Sequence, residues 1–176
     1  MNMSPNTAQK TQDRESFGTS SSANTKTAVG QSPAQAQDFL TLYIANQLFG
    51  IPVLQVQDVL GSQKVTRIPL APPEVAGALN LRGRIVTAIN VRKRLGIEAR
   101  AERRNEMSVV VDHQNELYSL IIDKVGDVLA LKDSSFEANP PTLDPVWRDI
   151  SAGIYRLDKE LLVVLDVPKL LDTIHF

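Results

Sequence analysis

The sequence predicts a mainly β protein made of two small closed or nearly closed barrels, preceded by a polar leader. Three observations lead there. Short β-branched and aromatic runs recur between turn residues, helical patterns are few, and two blocks of the first half return in order in the second. A barrel of about 60 residues is marginal alone, which favours two copies sharing an apolar seam.

Residues 1–37 are Ser, Thr, Asn, Gln and Ala with hardly any large apolar side chains. Such a segment cannot bury enough surface to offset the entropy of ordering, so it reads as a disordered tail or spacer. The folded part is expected from Asp38 onward. Phe39–Ile44 and Leu48–Ile51 read as two strands, with Asn46-Gln47 as the interruption. Pro52 marks the second strand as an edge or an exit. Val53–Leu60 reads as a short helical turn followed by a strand, and Pro69, Pro72 and Pro73 mark a constrained loop. Ala78–Leu81 and Ile85–Ile89 flank Arg82-Gly83-Arg84 as a hairpin whose Gly supplies the turn. Asn90 is placed to cap a helix over Val91–Leu95, which Gly96 stops.

The second half repeats this plan. Val125-Gly-Asp-Val-Leu129 matches Val56-Gln-Asp-Val-Leu60 at an offset of 69, which also sets Asn115 on Asn46 and Tyr118 on Phe49. The Leu161–Leu171 segment matches Ile85–Leu95 at an offset of 76. The difference of seven falls in Ser134–Arg148, a segment with three prolines that reads as a loop.

Composition narrows function mainly by exclusion. With no cysteine there is no disulfide, thiolate chemistry or Cys-ligated metal, which suits a reducing cytoplasm. No apolar run reaches membrane-spanning length, and the start has no secretory core. The net charge of −1 hides an asymmetry: Arg82–Arg104 carries eight basic and two acidic residues, and Asn105–Phe176 six basic and thirteen acidic. Opposed patches suit orientation against charged protein surfaces. A nucleic-acid-binding β-barrel using the basic stretch is the alternative from another class, but aromatic stacking platforms are missing there. Of the two histidines, His113 falls in the Asp112–Glu116 turn and reads as exposed, and His175 is penultimate. Neither has a partner at metal-ligand spacing, and no nucleophile, cofactor or phosphate-loop motif stands out, so catalytic residues, metals and cofactors are expected to be none.

Two charges are oddly placed. Arg82 leaves the end of a strand after alternating apolar residues, and Asp58 interrupts Val56, Val59 and Leu60. Both could simply be solvated. They could also pair with each other, since a guanidinium fork matches a carboxylate. The Val56/Val59/Leu60 cluster could be core or the wall of a surface groove.

Val65-Thr-Arg-Ile-Pro69, Val75–Val86 with Asn80-Leu-Arg-Gly83 at its centre, and Ile89-Asn-Val-Arg92 together resemble the CheW family of bacterial chemotaxis coupling proteins. The resemblance runs from about residue 38 to 172. It implies two interlocked SH3-like five-stranded β-barrels, about 38–105 with some chain exchange and about 106–171, within a domain spanning 38–176. It further implies a non-enzymatic cytoplasmic scaffold, peripheral at receptor arrays, linking the cytoplasmic tips of chemoreceptors to the regulatory domain of a histidine kinase. A coupling protein of a non-flagellar chemosensory pathway is the related alternative. By motif position, receptor contacts would include Val56, Gly77 and Arg82; kinase contacts would use the first barrel's edge around Val56–Leu60, with Val56, Asp58 and Val59 as the candidates. Asp58 would pair with Arg82, although many members carry Glu there, and Asn90 stands where the motif usually has Asp.

Overall fold

The computed structural model describes residues 35–98, 105–172 and 174. The leader up to residue 34, Arg103-Arg104 and His175 lie outside the described residues. Strand β1 (Ala36–Ile44) and strand β2 (Gln47–Pro52) form a hairpin. Its turn is Ala45-Asn46, one residue earlier than expected, with φ of 49° and 65°. Two left-handed residues in a two-residue loop match the twist of the strands. β1 starts at Ala36, paired with Lys132, two residues before the expected start of the folded part at Asp38: a long neighbouring strand supplies backbone partners for Ala36 and Gln37.

A 3-10 turn at Val53–Gln55 leads into β3 (Val56–Leu60). Strands β4 (Val75–Leu81) and β5 (Arg84–Asn90) flank the Arg82-Gly83 turn, and Asn90 caps α1 (Val91–Arg94). The second half supplies β6 (Met107–His113), β7 (Glu116–Ile122), β8 (Lys124–Lys132), β9 (Phe136–Glu137), α2 (Pro145–Asp149), β10 (Ser151–Arg156), β11 (Leu161–Leu165) and α3 (Val167–Asp172). No helix among the described residues is long and apolar enough to cross a membrane.

The sheets do not divide the chain at residue 105. One runs β8-β1-β2-β11-β10-β9 and the other β3-β6-β7-β5-β4. Aligned by the repeat, the orders are the same, with the first hairpin of each copy lodged in the sheet of the other. The parallel pairs β2–β11 and β5–β7 are the joints of this exchange. The chain exchange is therefore two whole hairpins. One sheet also has six strands rather than five, because short β9 adds to its edge.

Details of register repeat as well. Bulges fall between Val56 and Asp58 against β6, and between Leu42 and Leu40 against β8. Gly77 and Gly153, 76 residues apart, each sit beside a bulge between their hairpin strands. The Asn90 side chain accepts the Lys93 N–H at 3.1 Å, and the Asp166 side chain accepts the Lys169 N–H at 3.1 Å. Asn and Asp serve this capping role alike.

Alternation along β1 explains the core. Leu40, Leu42 and Ile44 face a seam cluster shared by both sheets, which also holds Phe49, Ile89, Val109, Val111, Leu120 and Val163. Phe39 points the other way, with Leu48, Tyr155, Leu162 and Val164 inside the six-stranded sheet. Leu79, Val86, Ala88 and Ile121 fill the five-stranded one. Strands apolar on both faces are what two barrels sharing a wall require.

The Ser134–Arg148 segment is more than a loop. Asp144 caps α2 with Pro145 in its first turn, a strong local start signal. Trp147 then packs on Phe49 at 5.4 Å and donates to the Leu95 carbonyl at 3.1 Å, tying the insertion to the first copy.

Candidate functional site

Asp58 and Arg82 come from opposite edges of the five-stranded sheet, β3 and the β4–β5 turn. They nevertheless meet: Arg82 Nη2 donates to Asp58 Oδ2 at 2.8 Å. The contact is direct evidence that the sheet curls until its edges approach. Asp58 Oδ1 accepts the Val59 N–H at 2.9 Å, which fixes the carboxylate. The Arg82 turn is held by the Asn80 side chain, which accepts the Gly83 N–H at 2.8 Å.

The shorter Asp therefore still reaches its Arg, but only through one nitrogen. The Arg82 side chain is 81 % exposed and that of Asp58 23 %. An ion pair this open is worth little to folding, commonly under about 1 kcal/mol. It leaves most of a guanidinium free at the rim of the barrel.

The bulge at Gln57 sets the faces of β3. Val56 and Val59 oppose Val111 and Val109 of the seam, while Asp58 and Leu60 oppose Val110 and Ser108. The Val56/Val59/Leu60 cluster is thus divided between two faces. Val56 packs on the seam cluster, and Val59 stands exposed on the edge strand. Gly77 is buried with φ of 144°, and a Cβ there would overlap the carbonyl oxygen of Thr66. That closeness serves the bridge between Thr66 and Ala78. Gly153 has the same task in the second copy, where a Cβ would overlap Phe136 and the Glu137 carbonyl. Gly77 is thus a fold requirement that presents no surface of its own.

The pair that sequence reasoning missed lies elsewhere. Arg92 Nε donates to Asp123 Oδ1 at 2.7 Å and Nη2 to Oδ2 at 2.6 Å, a bidentate fork. Its Nη1 donates to the Glu98 carbonyl at 2.9 Å, and the Ala45 N–H donates to Asp123 Oδ2 at 2.8 Å. The side chains are 14 % and 12 % exposed. Hydrogen bonding to Asp123 raises the Arg92 pKa above its already high value, against the opposing effect of burial. This clamp joins α1, the β1–β2 turn and the β7–β8 corner.

His113 also departs from expectation. It ends β6 beneath α3, largely buried, with Nε2 2.7 Å from Asp172 Oδ1. The packing of α3 on β6 covers what the turn position alone would leave exposed. No cluster of three metal-ligating side chains occurs among the described residues. Within the basic stretch, Arg82 and Arg92 each pair with a carboxylate, and the nucleic-acid alternative gains no support.

A family model described as a CheW-like domain matches residues 38–175. The chain belongs to this family. It is 29 % identical over 137 residues to the chemotaxis protein CheW of Klebsiella aerogenes, covering 78 % of this chain and 82 % of the relative. It is 30 % identical over 135 residues to CheW of Treponema pallidum, covering 74 % and 79 %. Protein PilI of Pseudomonas aeruginosa is 24 % identical over 133 residues, covering 76 % and 75 %. Among solved structures it is similar to the scaffolding protein TtCheW from Thermoanaerobacter tengcongensis, with a TM-score of 0.68 and 27 % identity, covering 74 % of this chain and 89 % of that one. The two exchanged sheets are thus the CheW-like fold, and the chain is a CheW-type chemotaxis scaffold protein.

Proposed function

We propose that this CheW-like protein is a non-enzymatic cytoplasmic scaffold that couples chemoreceptor tips to the regulatory domain of a histidine kinase in peripheral arrays. The match of the family model to nearly the whole described body carries the reading. The rim of the five-stranded barrel is the proposed contact site, with Arg82 and Val59 as its exposed members. Asp58 orients Arg82. Val56 and Gly77 act from behind the surface, by shaping the strands. The difference between the copies supports the choice of rim: Asp158 stands where the first copy has Arg82. Coupling of this kind needs complementary surfaces and no turnover.

The test is co-sedimentation of the full chain with receptor-bearing membranes and kinase. The protein is expected in the pellet, and the kinase should enter it in a scaffold-dependent way. A kinase that sediments equally without the protein would refute the coupling role. The similarity to protein PilI favours one second reading, a coupling protein of a non-flagellar chemosensory pathway. A pull-down from the native cell, with identification of the bound receptor and kinase, separates the two.

A further inference from the structure

The strongest unexplained feature lies outside that rim, in the proline-bounded loop between β3 and β4. Ile68, Pro69, Leu70 and Ala71 form a β-turn, closed by the Ala71 N–H on the Ile68 carbonyl at 3.5 Å. Proline at the second position and a positive φ at the third are the marks of a type II turn. That third position ordinarily takes Gly or Asn, because other side chains crowd the backbone there. Here it is Leu70, with φ of 63°. The same leucine is fully exposed. A strained backbone and a bare apolar side chain both act against the isolated protein. Strain of this sort collects where a surface has work to do.

The surroundings indicate what that surface meets. Leu70 borders a depression of about 500 Å³ lined in part by Arg67, Ile68, Val75, Asn90 and Lys93. Two cations and no carboxylate line it. Arg67 and Lys93 are exposed, and neither takes part in an ion pair among the described residues. Ile68 adds a second partly exposed apolar side chain.

We propose that this loop is a docking knob: Leu70 seats in an apolar socket on a partner protein whose rim carboxylates meet Arg67 and Lys93. The expectation of a protein partner rests on the scaffold reading; the socket chemistry rests on the loop alone. Apolar anchors surrounded by charged rims dominate the energetics of such contacts.

Two measurements on the full chain test it. The first is thermal unfolding of Leu70→Asn, which keeps a residue suited to the turn and removes the apolar group. Its melting temperature should equal or exceed that of the unsubstituted protein; a clear fall would mean that the leucine serves the fold, and would overturn the proposal. The second places a benzophenone photo-crosslinking residue at Pro69 in the living cell and maps the joined peptide by mass spectrometry. An adduct whose contact peptide combines apolar side chains with Asp or Glu is expected. Its yield should drop about tenfold with Leu70→Asn, and also fall with Arg67→Glu. Absence of an adduct, a yield indifferent to Leu70→Asn, or a contact peptide without carboxylates would each overturn it. Should the partner be neither receptor nor kinase, a socket of this chemistry still supports the knob while counting against the scaffold reading.

Discussion

Two arginine–aspartate pairs lie within one copy's reach of each other in sequence and do opposite things. Arg92 and Asp123 are nearly enclosed and joined by a two-pronged fork, with an additional backbone N–H on the carboxylate. Arg82 and Asp58 touch through one nitrogen at an open rim. Desolvation makes the first pair costly to break, since either member left alone is a buried, unmatched charge. Screening makes the second cheap to break, so it adds little to the fold. Kind of residue does not separate the two pairs; exposure and denticity do.

The largest effect should therefore come from the enclosed pair. Asp123→Ala is expected to destabilise the protein by about 3–5 kcal/mol, the cost of stranding a buried guanidinium, measured by urea unfolding. A loss under about 1 kcal/mol would place this pair in the same class as the rim. Next is Gly77→Ala, which drives a methyl group into the Thr66 carbonyl at an unfavourable φ and should cost about 2–4 kcal/mol. Gly153→Ala should also destabilise, but less than Gly77→Ala, because its φ is not in the left-handed region. If Gly77→Ala were harmless to folding but abolished partner binding, Gly77 would return to the list of direct contacts. Asp58→Ala belongs at the small end, under about 1 kcal/mol, and 0.5 M salt should shrink the difference further. In the enclosed pair the same salt should change little.

Much of the β framework could be read from the chain because it is locally encoded. The turn at Asn46, the Asn90 cap, the stop at Gly96 and the Arg82-Gly83 hairpin each rest on side chains within a few residues of one another. The repeat offsets of 69 and 76 likewise find structural counterparts in register, bulge and cap. The family resemblance implied some chain exchange, but the residue patterns could not say which hairpins exchange, because the period-two pattern that predicts a strand says nothing of which sheet it joins. Val56, Val59 and Leu60, open between core and groove wall from the sequence, divide between two faces for a related reason: a one-residue bulge reverses the faces beyond it. The covering of His113 is not legible from its turn position, because the helix over it is distant in sequence.

The Arg92–Asp123 clamp left a trace that comparison of the two copies could have found. Asp123 aligns with Leu54 at the first offset, and Arg92 aligns with Pro168 at the second. Both members sit where the copies differ, in each case a charge in one copy against an apolar residue in the other. A pair of opposite charges unique to unlike copies is a reason to look for contact between them. Leu54, freed of any such partner, is almost fully exposed.

The central claim is that Arg82 serves partners and not the fold. Its most direct test measures one variant twice, with Arg82→Ala compared to the unsubstituted chain in thermal unfolding and in co-sedimentation with receptor membranes and kinase. The melting temperature should move by no more than about 2–4 °C, as a loss near 1 kcal/mol implies for a chain of this size, while recovery of a partner falls markedly. A melting temperature lowered as far as by Asp123→Ala, with recovery of both partners unchanged, would contradict it.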